Sequence, residues 1–227
     1  MIAGLPGSYK STFALNLTVA WAKAGKSGLY ISADSDPFTV GKRCAGIISG
    51  DPLDIAERTI RTDGYKKDLD TLNSIHWVFR DINMAAIDRR MYAFREKAGT
   101  FPDFVVIDNL MNMVDGPGDW NGQEKMVRDL DKMARAASSH VMILHHIQEN
   151  DKYAKADNAG MPPARHRIMG KLSQFPRLVL TLGHSQEMLR CGIVKNTNGE
   201  DQADGGFYVD LLINHENARI VELMCRG

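Results

Sequence analysis

Apolar and polar positions along the chain follow two periods. Some apolar runs are short and continuous, such as Phe104-Val105-Val106-Ile107 and Val141-Met142-Ile143-Leu144. Runs of that kind suit strands covered on both faces. Elsewhere Phe13, Leu17, Ala20, Trp21 and Ala24 recur at helical spacing and leave one apolar stripe. Gly25 and Gly28 close that helix. Further strands are expected at 28–33, 75–80, 104–108, 141–146, 177–182 and 189–194. Helices are expected at about 84–97 and 123–137. The stretch 37–73 reads as helical pieces broken at Gly50-Asp51-Pro52 and Asp63-Gly64. The end reads as a hairpin, with strands from Phe207 to Ile213 and from Arg219 to Met224. Residues 149–166 are polar, contain Gly160 and Pro162-Pro163, and show no period, so a long mobile loop is expected. Strands alternating with helices predict an α/β fold. Its central sheet is mostly parallel and flanked by helices, and its C-terminal hairpin is antiparallel.

Composition narrows the class. The 227 residues carry 28 Lys plus Arg against 28 Asp plus Glu, so the net charge is zero. A single domain spanning 1–227 accommodates that length. Bulk positive charge cannot be the means of binding nucleic acid, although a local basic strip can. No apolar run reaches the roughly 18–20 residues a membrane helix needs, and the start does not read as a signal peptide. Cys44, Cys191 and Cys225 are scattered without metal-ligand or redox spacing, which suits a reducing cytoplasm.

The strongest chemical signal is Gly4-Leu5-Pro6-Gly7-Ser8-Tyr9-Lys10-Ser11-Thr12, directly before a helix. A phosphate needs many N–H donors converging on one point, which a glycine-rich turn at a helix start supplies. Lys10 would reach the β- and γ-phosphates, and the Ser11 hydroxyl would face Mg²⁺. The pattern wants glycine where Tyr9 stands, so Tyr9 either takes the glycine conformation or shifts the loop. The plainer alternative is a turn capping an ordinary helix, with Lys10 solvated.

Acids and histidines at strand ends extend the signal. Asp108 ends a core strand, as a Mg²⁺-orienting carboxylate should. Asp34 and Asp36 follow another strand. Asp36 before Pro37 reads as a helix cap, so Asp34 is the candidate base. His145 and His146 end a third strand. Adjacent strand residues point to opposite faces, so only one can face a nucleotide. His146 is the candidate γ-phosphate sensor, with Gln148 as a second polar candidate. A basic track of Lys152, Lys155, Arg165, His166, Arg167 and Lys171, with Tyr153 as the stacking aromatic, could hold single-stranded nucleic acid. Gly116, Pro117, Gly118 and Trp120 form a second candidate loop.

Together these segments resemble the RecA-like ATPase core of the DnaB replicative-helicase branch, in the compact form found in phage and plasmid proteins. The phosphate loop and Lys195-Asn196-Thr197-Asn198-Gly199 are the most specific parts. The resemblance implies ATP and Mg²⁺ as cofactors, single-stranded DNA as partner, and assembly into a homo-oligomeric hexameric ring or filament. It also implies that Lys195 reaches a neighbouring subunit's site. The family's arginine finger would fall at Thr197, which leaves Arg190 or Arg219 as substitutes. The family's first strand is longer than Met1-Ile2-Ala3 allows, so the first strand is expected to be truncated. The function expected is an ATPase acting in replication or recombination, with helicase activity the sharpest form. The rivals are a slow nucleotide-binding switch, a recombination mediator, and a metal-dependent nuclease on the same scaffold.

Overall fold

The computed structural model describes all residues except 63, 81–82, 115–117, 148–159 and 223–227. Its centre is a nine-stranded sheet ordered β3-β2-β4-β5-β1-β6-β7-β8-β9. The strands are β1 (Ile2–Gly4), β2 (Gly28–Ser32), β3 (Ile75–Val78), β4 (Phe104–Asp108), β5 (His140–His146), β6 (Leu178–Ser185), β7 (Met188–Asn196), β8 (Tyr208–Asn214) and β9 (Arg219–Glu222). The six from β3 to β6 in that order run parallel. The pairs β6–β7, β7–β8 and β8–β9 are antiparallel. The expected architecture is therefore present. The short β1 fills the middle of the sheet, between β5 and β6.

Among the described residues, six helices accompany the sheet: α1 (Lys10–Lys23), α2 (Pro37–Ser49), α3 (Leu53–Ile60), α4 (Lys66–Leu69), α5 (Met84–Ala98) and α6 (Trp120–Ala137). Alternation along β4 shows how the two faces divide. Val105 and Ile107 pack into one core with Ile87 and Met91 of α5 and Val127 and Leu130 of α6. Phe104 and Val106 pack into the other, with Leu15 and Val19 of α1 and Val40 and Cys44 of α2. Burial on both faces explains why these strands read as unbroken apolar runs.

Local chemistry explains most boundaries. Gly25, at φ 75°, ends α1 in the left-handed conformation, and Lys26 N–H returns to Trp21 O at 2.9 Å. Gly28 does not share that capping role. It lies inside β2, where a β-carbon would come within 2.3 Å of the Phe104 ring. Asp36 caps α2, accepting from Phe38 N–H at 2.9 Å and Thr39 N–H at 3.0 Å. Asp119 caps α6 through Gly122 N–H at 2.9 Å, so that helix begins at Trp120 rather than 123. Trp120 thus belongs to a helix start and packs against Gly170, not to a loop tip.

The polar stretch 149–166 is only partly described. Its described end, 160–166, is not a free loop. Met161 and Pro162 lie against Gly183 and Gly192 of the sheet, Pro162 and Pro163 are buried, and Arg165–Arg167 form a short 3-10 turn. Prolines suit such a packed edge, because they bring no N–H that needs a partner.

Candidate active site

The parallel strands deliver their carboxyl ends to one edge, which is where open α/β sheets bind ligands. Register aligns Gly4 with His146 and Ser32 with Asp108. The loop from Leu5 to Tyr9 leaves β1 there and enters α1. Tyr9 has φ 62° and ψ 21°, so it adopts the left-handed glycine conformation and the loop is not displaced. Its ring packs beside two exposed imidazoles, His184 at 5.0 Å and His215 at 5.2 Å between centroids.

Lys10 is buried rather than solvated. Its Nζ donates to Gly4 O at 3.0 Å and Leu5 O at 2.7 Å. Burial lowers its ammonium to about 8, opposed by the Asp108 and Asp34 carboxylates. Among the described residues no side chain caps the first turn of α1, so its N–H groups, which have no carbonyl one turn back, point into the loop. The Ser8 hydroxyl is buried there without a partner among the described residues.

Asp108 is buried at the end of β4. It accepts from the Ser11 hydroxyl and, at 3.2 Å, from the buried Tyr30 hydroxyl. Burial pushes its carboxyl up, as does Asp34, while the Ser11 and Tyr30 hydrogen bonds and Lys10 oppose the rise. The Asp108–Asn109 peptide bond is cis. Asp34 is exposed and accepts from the side-chain amides of both Asn109 and Asn112. Asn109 also lies 3.4 Å from His146 Nε2. The two histidines separate as adjacent strand residues must. His146 turns to this edge, while His145 is fully buried and its pKa falls to about 4, chiefly by burial.

The edge therefore assembles Gly4, Leu5, Pro6, Gly7, Ser8, Tyr9, Lys10, Ser11, Thr12, Asp34, Asp108 and His146. Asn109, Asn112 and Tyr30 also belong to it and were not anticipated. The signal for Asn109 is its place directly after Asp108; Asn112 and Tyr30 gave none. These residues fit a nucleotide phosphate, through uncapped N–H groups and an ammonium, and Mg²⁺, through a hydroxyl beside a buried carboxylate.

Other anticipated residues sit elsewhere. Lys195 Nζ donates to Gln174 O at 2.7 Å, and the Thr197 hydroxyl donates to Arg177 O at 2.9 Å. Both proposed finger substitutes are engaged within the chain. Arg219 donates to Ile47 O at 2.9 Å and Ile48 O at 3.0 Å, where α2 ends. Arg190 pairs with Asp210 at 3.1 Å over the Tyr208 ring. Arg165 is half-buried and donates to Ser173 Oγ at 3.2 Å, and Arg167 is half-buried beside it. Neither projects as the mobile-loop reading required. Gln148, Lys152, Tyr153, Lys155, Gly116, Pro117 and Cys225 lie outside the described residues.

This fold and this edge define a P-loop NTPase with a RecA-like core. Residues 1–152 match the AAA domain family, and the chain belongs to it. The Gene 65 protein of Mycobacterium phage D29 is 30% identical over 224 residues, covering 93% of each chain. The Gene 65 protein of Mycobacterium phage L5 is 28% identical, covering 93% of this chain and 81% of that protein. Among solved structures, an isolated ATPase domain superposes with a TM-score of 0.79 at 18% identity, over 98% of this chain and 83% of that one. A DnaB-like replicative helicase, described with its interactions with primase, gives 0.81 at 17% identity, over 98% and 58%. The fold is thus that of DnaB-like helicase ATPase domains. No described helix is long and apolar enough to cross a membrane.

Proposed function

We propose that the chain is a Mg²⁺-dependent ATP hydrolase acting on single-stranded DNA in replication or recombination. In this reading 1–227 is one ATPase domain, working as a homo-oligomer, a hexameric ring or filament, and unwinding DNA as a helicase. Its setting is the cytoplasm of an infected host, a reading that the phage relatives support.

The observation that carries this reading is the meeting of Lys10, Ser11 with Asp108, and Asp34 at one sheet edge. The N–H groups from Tyr9 to Thr12 and the Lys10 ammonium bind the phosphates. Ser11 and Asp108 hold Mg²⁺, which when bound neutralises charge on the β- and γ-oxygens. Asp34 orients the attacking water, and Asn109 and Asn112 fix its carboxylate. His146, through Asn109, registers the γ-phosphate. Lys195 completes the neighbouring subunit's site, and Lys152 and Lys155 contact DNA.

A second reading, a slow nucleotide-dependent switch, is favoured by the own-chain partners of Thr197, Arg190 and Arg219. An arginine finger contributes about 10³–10⁵ in rate in related NTPases. One experiment separates the two: phosphate release from Mg-ATP, with and without single-stranded DNA, in wild type and Lys10→Ala. DNA stimulation that vanishes in the variant is expected. Hydrolysis indifferent to Lys10 would sink both readings, and binding without turnover would leave the switch.

A further inference from the structure

A second feature lies at the sheet margin, beyond the nucleotide edge. The edge strand β3 and the helix α5 leave between them a cavity of about 1140 Å³. Its walls carry Arg80, Arg89, Arg90 and Lys97, together with His76. Arg90 donates to His76 Nε2 at 3.1 Å, a bond that requires that ring nitrogen to be unprotonated. Burial, then Arg80 and Arg89, push the Arg90 guanidinium below its ordinary value. Among the described residues none of the four cations pairs with a carboxylate. The α5 acid Asp88 turns into a different groove, beside Met84 and Tyr92. Like charges gathered along one wall without counter-charge are unfavourable alone and favourable once an anion lies between them.

The groove is long, not a point. The α5 residues lining it run from Ala86 to Ala98, about 18 Å at 1.5 Å per residue. One strand of nucleic acid carries a phosphate roughly every 3.4 Å in a helix, so several fit along this wall. The lining also includes Ala86, Ala93 and Phe94, an apolar strip with a ring on which a base can stack. At the far end stands Asn112, which lines the groove and donates to Asp34. The cationic wall thus leads to a side chain that touches the nucleotide edge.

We propose that the groove between β3 and α5 binds the phosphodiester backbone of single-stranded DNA, as a track separate from residues 152–167. The choice of nucleic acid over an acidic protein rests on the proposed DNA-dependent ATPase and on Asn112, which joins the groove to Asp34. The groove itself stands on its charge and shape.

The test uses the full chain, a fluorescent oligo-dT and no nucleotide, with anisotropy measured across a salt series. The variant is Arg89→Ala/Lys97→Ala, both exposed and remote from the nucleotide edge. Basal hydrolysis without DNA and the melting temperature, both matching wild type, certify its fold. A single-strand contact contributes about 0.7 to the log–log salt slope, so the double variant is expected to lose about 1.4. An unchanged slope and affinity would overturn the groove while leaving the DNA-dependent ATPase standing. A wild type that hydrolyses ATP but binds no oligonucleotide would overturn both. Polyglutamate captured by wild type and not by the variant, with DNA ignored, would assign the groove to an acidic protein and overturn the proposal.

Discussion

Lys10 shows how one buried charge sets a pH window. Its ammonium is lowered to about 8 from an ordinary 10.5, chiefly by burial. Below about 8 it is charged and attracts phosphate. As pH rises through 8 the free protein loses that charge, and binding requires a proton to be taken up. Nucleotide affinity is therefore expected to fall above pH 8, by up to about tenfold per unit, and a fluorescent ATP analogue titrated from pH 7 to 10 measures it. Lys10→Met should bind weakly and lose the slope; a slope that persists would assign the window to another group. For folding the sign is opposite. Between 8 and 10.5 the unfolded chain holds the proton more tightly, so this residue's contribution to stability rises with pH there. Tyr9 gives a second test at this scale. The left-handed conformation costs a non-glycine residue about 1–2 kcal/mol, while ring contacts such as those with His184 and His215 contribute about 0.5–1.5 kcal/mol each. Tyr9→Gly should melt close to wild type, and Tyr9→Ala, which keeps the strain and loses the rings, clearly lower. Equal melting of the alanine variant and wild type would show that the rings contribute nothing. Lys10 and Asp108 were legible in the sequence because loop spacing and a strand's end fix their places. Asn109 and Asn112 were not, because what they do depends on where the chain after β4 brings their amides relative to Asp34, some 75 residues earlier.

At the scale of elements, the helices and strands were legible wherever burial was two-sided or a cap was explicit. The continuous runs of β4 and β5 and the caps at Asp36 and Gly25 fall where patterning puts them. The failures share a cause, which is tertiary contact overriding local polarity. Residues 160–166 look like loop until Pro162 and Met161 are seen against the sheet. Arg219 looks like a candidate for phosphate, yet it spans to the last carbonyls of α2. A cation there satisfies groups that a helix end leaves without partners. Arg219→Ala should therefore lower stability by about 1.5–3 kcal/mol, the usual scale of charge-assisted hydrogen bonds, and leave hydrolysis per folded molecule unchanged. Thermal denaturation and phosphate release on the same sample decide it. Intact stability with lost turnover would return Arg219 to the finger role. Gly28→Val tests the β2 contact in the same way: its side chain meets the Phe104 ring, and overpacking of this kind costs about 1–3 kcal/mol.

At the scale of the whole molecule, the question is whether one chain contains a complete site. The nucleotide edge gathers Lys10, Asp34 and Asp108 from β1, β2 and β4, all on one side of the sheet's middle. Lys195 lies on β7, beyond β6, and its ammonium is bonded to Gln174 O. Burial lowers that ammonium, as does Arg165, while Asp201 opposes the change. If Lys195 serves a neighbour, assembly is head to tail, and each site draws on two chains. Mixing then becomes diagnostic. Lys10→Ala lacks the phosphate-binding group and keeps Lys195; Lys195→Ala lacks the donated group and keeps the loop. Each variant alone should be nearly inactive. In an equal mixture that exchanges subunits freely, about one interface in four pairs an intact loop with an intact Lys195. DNA-stimulated phosphate release should then recover toward a quarter of wild type, at protein concentrations where gel filtration shows an oligomer. Recovery that appears only with the oligomer would locate Lys195 in the partner's site. A mixture no more active than its two components, although assembled, would mean that Lys195 serves its own chain, with the bond to Gln174 as its structural role.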